Sequence, residues 1–483
     1  MHIVDMVYFW GRSTPARHAV IQPDGTVTYL ALAQAIEAAA AHFARTILDR
    51  SHPVAVSIET PPRMLAASLG LMRAGFDVLP VSRNHIGHLP EAGTTTLVYE
   101  RGGAMLEGGT NIMFADSWLT VGTTRPQRPA TLPQPNTKDV HPWFFTSGTT
   151  GTPKLAPRTQ GDWMQRILFS GNSCFTEYER ALIVPGISSS FGFTRACEVL
   201  YAGKTACFAP FGRPMLWLAS TYDVDTILAS PQQAMALADI QAANAEFSLA
   251  SVKSLRLGGA IVTREGMQQL MSHLCRNVIL IYSSAEASTV AVAPYAMIAD
   301  IPNAVGFTLP GVEVEIISPE GHVLPRGEEG FVRIRTPQFV EKLPPDAVDT
   351  WFYPGDIGWL TDNGVLCIAG REGDVVNRGG FKLSVSQFEN FLLACPGVVD
   401  AGVCTLMGTA GFEEIWVGVV LDSSFDPDTF RRSIEANTEY KSNIDKLFMV
   451  EAIPRGTLGK IQRAQLREML QEIDSHSGAA ADA

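Results

Sequence analysis

The sequence has no CxxC pair, and its seven cysteines (Cys174, Cys197, Cys207, Cys275, Cys367, Cys395, Cys404) are scattered and odd in number. That argues against a disulfide framework and predicts free, mostly buried thiols in a reducing compartment. Basic residues are the minority, 37 against 49 acidic, for a net charge of −12. The balance argues against nucleic acid or an anionic membrane as the main partner and serves solubility. Long hydrophobic runs are lacking too. The best candidate span, Met64 to Val81, is interrupted by Arg73 and Asp77, so a buried α/β segment is expected rather than a membrane span. The first residues, "MHIVDMVYFWGRSTPARH", carry Asp5 and no apolar core, unlike a signal peptide. A cytoplasmic protein is the expectation. No internal repeat is present.

What is there is a long, core-rich chain. It has 483 residues, 46% apolar and 18% charged, which predicts two domains or more and no wholesale disorder. In the first third, Leu30–Leu48 and Arg63–Gly75 have helical texture, and Pro53–Ile58 and Phe76–Val81 read as short apolar strands. Strand, helix and strand in that order predict a parallel sheet with covering helices. The rhythm continues from Ala181 to Ala293 in "ALIVP", "KTACFAP", "SVKSLRLGGA" and "NVILIYSSAE". From Pro310 the texture changes. "GVEVEIISPEGHVL" and "EEGFVRIRTP" alternate in twos between Gly-rich turns, as antiparallel strands do, and "TDNGVLCIAGREGD" adds an Asn-Gly turn and a strand. A domain boundary is placed in that last stretch. A smaller α+β unit follows, with helices near Ser386–Ala394, Pro427–Glu435 and Gln462–Ile473 and a frayed "SHSGAAADA" tail.

The most distinctive run is "FFTSGTTGTPKLAPRTQ", Phe144 to Gln160. Gly148 and Gly151 permit backbone conformations closed to other residues. Four Thr and one Ser between Thr146 and Thr152 set hydroxyls beside backbone N–H groups, a nest for several anionic oxygens, and Lys154 adds a positive charge. The rival P-loop pattern fails, because Pro153 precedes Lys154 and Leu155 follows it. A solvated Ser/Thr/Gly linker is the other reading of the same residues. Three further residues are candidates with bland alternatives. Glu286, in "IYSSAEAS" after a strand, is a metal ligand or an exposed Glu. Asp356, in "YPGDIGW", accepts from a sugar diol or closes a turn. Lys460, in "IPRGTLGKIQR", is functional or a solvated helix-start Lys.

Taken together and in this order, these elements resemble the adenylate-forming superfamily of acyl-CoA synthetases, luciferases and carboxylate-activating domains. "TSGTTGTPK" carries most of the likeness; "GREGDVVNRGGFKLS" and "PRGTLGK" match later motifs. The resemblance implies an α/β fold. A large N-terminal domain of α/β subdomains with a small β-barrel-like part spans 1–371, and a small mobile α+β lid spans 372–483. It also implies roles. Thr146, Ser147, Gly148, Thr149, Thr150 and Gly151 match the loop that wraps the ATP phosphates, with Lys154 at its end. Gly259 and Ala260 match the turn beside adenine, and Tyr282 the aromatic packed on it. Glu286 matches the magnesium ligand, Asp356 and Arg371 the ribose-binding groups, and Lys460 the lysine that reaches the substrate carboxylate and the α-phosphate. Ser188, Phe191, Gly258, Ser283 and Ser284 fall at the acid pocket, and Gly373 at the hinge.

Details narrow the branch. Leu155 stands where most members have Gly, and Ala285 where most have Thr. Both look like the stand-alone aryl-acid–AMP ligases of the 2,3-dihydroxybenzoate or salicylate type, which share "PKL-x-PRT", Ala-Glu and "NRGG-x-K". Ile187 and Ser188 replace the His-Asn pair of the dihydroxybenzoate enzymes, which argues against dihydroxybenzoate itself. No Asp between Val184 and Cys197 could hold an α-amine, which argues against free amino acids. Gly373 replaces the usual Asp or Lys at the hinge, and Ser283 the usual Gly, which narrows or polarises the pocket. The implied activity is ATP- and Mg2+-dependent activation of a small aromatic or compact carboxylic acid to acyl-AMP. The acyl group then passes to the phosphopantetheine thiol of CoA or a carrier protein. Alternatives are a ligase with an amine acceptor and a non-catalytic nucleotide-binding relic.

Overall fold

The structure is a computed structural model. It describes the chain except residues 1–2, 48, 120–141, 147–153, 157–162, 165–166, 168–176, 260–261, 263, 285–286, 337–350, 372–374, 379–380, 408–412, 437–443, 457–460 and 480–483. Two compact units result. The first holds residues 1–298 with 309–312 and 336–350; the second holds 299–308, 313–335 and 351–483.

In chain order the first unit contains α1 (Ile3–Ser13), β1 (His18–Gln22), β2 (Gly25–Thr28), α2 (Tyr29–Thr46), β3 (Val54–Ser57), α3 (Pro61–Arg73), β4 (Val78–Pro80), β5 (Thr96–Tyr99) and β6 (Thr110–Met113). There follow β7 (Phe144–Thr146), β8 (Lys154–Ala156), β9 (Arg180–Ile183), α4 (Ser190–Tyr201), β10 (Thr205–Cys207), α5 (Arg213–Thr221), β11 (Thr226–Ala229), α6 (Pro231–Ala242), β12 (Ser254–Gly258), α7 (Arg264–His273), β13 (Val278–Ser284) and β14 (Ser288–Pro294). The larger sheet runs β2-β1-β10-β9-β11-β12-β13-β14. Its six inner strands are parallel, and β2 and β14 pair antiparallel with their neighbours at the ends of that series. The parallel sheet expected from the strand–helix rhythm is therefore present. A second parallel sheet runs β4-β3-β5-β6.

Local chemistry explains the elements. Thr28 caps α2 by accepting from Ala31 N at 3.2 Å, and prolines open α3. The two helices approach closely because Gly70 has no side chain: a Cβ there would lie 2.8 Å from the Ala39 Cβ. Arg73, the charge that interrupts the apolar run, is buried and donates to Glu37 at 3.1 Å; Tyr8 also donates to Glu37. Burial and the Glu37 charge push the Tyr8 hydroxyl pKa up. No helix among the described residues is long and apolar enough to cross a membrane.

The second unit contains β15 (Ala304–Thr308), β16 (Glu313–Ile317), β17 (Gly330–Arg335), β18 (Asp356–Leu360) and β19 (Val365–Arg371), then β20 (Val375–Arg378), β21 (Phe381–Ser384), α8 (Val385–Leu393), β22 (Val398–Met407), β23 (Glu413–Leu421), α9 (Pro427–Ala436), β24 (Lys446–Met449) and α10 (Arg463–Ala479). Strands β16-β17-β18-β19-β15 form antiparallel pairs, as the period-two alternation predicts, and Asn363-Gly364 turns between β18 and β19 with Gly364 at φ 78°. After them, β22-β23-β24 form a sheet with α8 and α9 over one face and α10 over the other. The last helix differs from expectation: it continues to Ala479, through much of the tail read as frayed, with Ser475 Oγ donating to Glu472 O at 2.8 Å. Sequence reading also passed over the β1–β2 hairpin and α1, although α1 is amphipathic, with Ile3, Val4, Val7 and Tyr8 buried on one face.

Candidate active site

The candidate residues of the first unit gather where strands end. Ser188 and Phe191 follow the carboxyl end of β9, Gly258 ends β12 with Gly259 after it, and Tyr282, Ser283 and Ser284 close β13. Carboxyl ends of parallel strands are where open α/β sheets bind ligands. A cleft among strand termini lies at the opposite ends, lined by His18, Arg180, Thr205, Asp225 and Lys253 at or beside the starts of their strands, and contains no candidate residue. The candidates for the adenine turn and the acid pocket lie at the carboxyl ends, and Thr146 and Lys154 lie on the separate β7–β8 pair.

Phe191 and Gly258 are brought together. A Cβ built on Gly258 would lie 3.8 Å from Phe191 Cζ and 3.5 Å from Ile281 O, so the ring sits over a bare stretch of β12. Gly259 follows at φ 105°, a conformation that favours glycine. Two residues that sequence reasoning missed fix Phe191. Ser189 caps α4, accepting from Gly192 N at 3.0 Å and donating to Gly186 O at 2.7 Å. Gly192 lets the helix start against the preceding loop, since a Cβ there would fall 2.2 Å from Gly186 O. The Ser run ahead of an apolar helix was the available signal. Arg195, one turn on, places its Cζ 5.4 Å from the Phe191 ring centroid and pairs with Glu198 at 2.6 Å. No sequence signal pointed to it.

Strands β13 and β14, consecutive in the chain, pair antiparallel. Register is broken between Tyr282 and Ser283, then Ser284 opposes Ser288, which adopts φ 61°. Ser284 Oγ accepts from Ala287 N at 2.9 Å. A bulge and a left-handed non-glycine residue beside a site are the kind of local strain that positions side chains. Glu286 and Ala260 lie outside the described residues.

The phosphate-loop motif is framed by the β7–β8 hairpin. Phe144 opposes Ala156, and Thr146 opposes Lys154, so the candidate residues Thr146 and Lys154 are cross-strand partners. Ser147, Gly148, Thr149, Thr150 and Gly151 fall in the span they enclose, outside the described residues. Phe144 anchors the hairpin: it is 1% exposed, its ring centroid 5.9 Å from that of Phe193, which stacks on Trp163.

In the second unit Asp356 and Arg371 face each other directly across β18 and β19, and Asp356 is buried. Gly373 and Lys460 lie outside the described residues; Arg455 and Ile461, which flank Lys460, are bridged. Among the described residues no cluster of three His, Cys, Asp or Glu could hold a metal. The described cysteines are buried, and burial pushes Cys207 up to about 12 and Cys404 up to about 11, so neither offers a thiolate nucleophile.

The sequence model of the family described as AMP-binding enzyme matches residues 9–342. Enterobactin synthase component E of Escherichia coli is 27% identical over 358 residues, covering 70% of this chain and 66% of its own length. The salicyl-AMP ligase / salicyl-S-ArCP synthetase of Mycobacterium tuberculosis is 28% identical over 440 residues, covering 84% of this chain and 73% of its own. The fold matches that of O-succinylbenzoate Coenzyme A Synthetase (MenE) from Bacillus subtilis, solved with ATP and magnesium ion. The TM-score is 0.80 at 21% identity, over 96% of this chain and 99% of that one.

Proposed function

The chain belongs to the AMP-binding enzyme family, and from that premise we propose that it activates a carboxylic acid with ATP and passes the acyl group to a thiol. The observation that carries the reading is the hairpin pairing Thr146 with Lys154, which closes the hydroxyl- and glycine-rich span of a family whose ligand is a nucleotide. In the first step a carboxylate oxygen attacks the α-phosphorus of ATP. A new P–O bond forms, the bond to the β-phosphate oxygen breaks, and pyrophosphate leaves. In the second, a phosphopantetheine sulfur attacks the acyl carbon and AMP departs.

Each residue answers a physical difficulty. The attacking carboxylate and the phosphate are both anionic. Lys460 lies between them in this reading and offsets the repulsion; its loss is expected to raise the barrier by about 2.7–4 kcal/mol. The loop from Thr146 to Gly151, with Lys154, holds the leaving pyrophosphate. Asp356 and Arg371 hold the ribose, and Gly259, Ala260 and Tyr282 the adenine. Magnesium, when bound, supplies charge neutralisation on the phosphates, and Glu286 is the hard oxygen ligand that would hold it. Ser188, Phe191, Gly258, Ser283 and Ser284 shape the acid pocket, where a ring over a glycine suits a flat, compact acid. The names of the two sequence relatives support an aryl acid. Residues 372–483 act as a lid turning about Gly373 between the two steps. The buried, unpaired thiols support a cytoplasmic enzyme. CoA and a carrier protein both fit as acceptors.

The test is ATP–pyrophosphate exchange with a panel of benzoate, salicylate, anthranilate, 2,3-dihydroxybenzoate, short aliphatic acids and free amino acids. Exchange is expected with an aryl acid lacking the dihydroxy pattern, and not with amino acids. ATP binding without exchange for any acid would overturn the reading in favour of a nucleotide-binding relic. Product assays with CoA, a carrier protein or amines then identify the acceptor.

A further inference from the structure

Lys460 lies outside the described residues, but the chain on either side of 457–460 is tied together and to the neighbouring sheet. Arg455 and Ile461 form an antiparallel bridge, and Gln462 N donates to Pro454 O at 2.8 Å, so the chain closes on itself either side of 456–460. This base is tied to β22 in two ways. Ile453 and Leu466, before and after the loop, sit over Gly402 and Gly418, which face each other across β22 and β23. A Cβ on Gly402 would lie 2.8 Å from Leu466 Cδ2 and 2.9 Å from Ile453 Cγ2. Arg455 also forks onto Asp400, with Nε to Oδ2 at 3.0 Å and Nη2 to Oδ1 at 2.5 Å. The two side chains are only 23% and 26% exposed. A bulge at Val399 breaks the register of β22 next to Asp400, the kind of irregularity that re-aims a side chain.

From this geometry we propose that Asp400 is a positioning residue for adenylation: through its bidentate pair with Arg455 it sets the base of the Lys460 loop. A two-bond fork fixes direction as well as distance, which a single contact or apolar packing does not. A lysine that must meet two oxygens in a transition state needs that direction, because a misplacement of about 1 Å at a reacting centre can cost about 10²-fold. The inference rests on the role of Lys460 proposed above.

The test is pre-steady-state pyrophosphate release with MgATP and whichever of benzoate, salicylate or anthranilate the wild-type chain turns over fastest. Asp400→Ala is expected to slow release about 10²-fold, with MgATP affinity by calorimetry and the acid KM little changed. Lys460→Ala is expected to slow it at least as much. The double variant Asp400→Ala/Lys460→Ala should be no slower than Lys460→Ala alone, because Asp400 acts through that lysine. A further loss in the double variant, or a loss confined to MgATP affinity, would show a general structural role and overturn the inference. Exchanging the pair, Asp400→Arg with Arg455→Asp, should recover about tenfold over Asp400→Arg alone; no recovery also overturns it. If Lys460→Ala adenylates at the wild-type rate, the role of Lys460 itself fails, an outcome separate from the others.

Discussion

In the function proposed above, two loops serve the same reaction, and the described residues at their bases are held by different forces. The phosphate loop springs from the β7–β8 hairpin, and its anchor is apolar: Phe144 sinks into a cluster with Phe193 and Trp163. The Lys460 loop springs from the bridge between Arg455 and Ile461, and its anchor is a charged fork onto Asp400 beside two glycines. Under the proposed function the contrast follows from what each loop would do. A loop that wraps a polyanion with many N–H and hydroxyl donors tolerates small shifts, since several donors share the charge. Burial alone can hold it. A single lysine has no such redundancy, so its base needs directional bonds.

Three experiments break or sharpen that contrast. The largest effect is expected from Phe144→Ala. Removing a buried aromatic costs about 3–5 kcal/mol of stability, read by urea denaturation, and the KM for MgATP should rise more than that for the acid. A stability loss with unchanged MgATP KM would show that the anchor does not reach the loop. Next is Gly402→Ala, which forces Ile453 and Leu466 off the sheet. Overpacking typically costs about 1–3 kcal/mol, here near the lower end because the nearest atoms are side-chain termini. Adenylation should slow while MgATP binding stays intact, the reverse of the Phe144 result. The smallest effect tests whether both regions are equally closed. Burial raises the thiols of Cys207, in the first unit, and Cys404, in the second, to about 12 and about 11. Both stay protonated up to those values, so at pH 8 a thiol reagent should modify them only after denaturant is added. Rapid native labelling of Cys404 alone would mean that the C-terminal sheet opens more readily than the first unit.

Much of this was legible in the chain. The helical texture of Leu30–Leu48 and the strand–helix rhythm anticipated α2 and the parallel sheet, because apolar periodicity reports local geometry directly. "TSGTTGTPK" stood out by its chemistry, whereas Asp356 read equally as a turn residue and Arg371 was assigned only through the family resemblance. The missed residues share one physical property: they act on other residues rather than on ligand. Ser189 and Gly192 shape a helix start, and Arg195 backs an aromatic ring. Asp400 lies fifty-five positions from the arginine it holds. Such roles depend on partners distant in sequence, and one chain read alone does not name them.

By itself, then, the sequence determined the family, the residue types proposed for the site and the period of elements such as α2, α3, β16 and β17, since these depend on composition and local spacing. Only the tertiary structure decided which residues are partners: Thr146 with Lys154, Asp356 with Arg371, Phe191 over Gly258, and Asp400 with Arg455. Register and packing are set by the sum of many weak, long-range contacts, and that sum is settled only when the chain has folded.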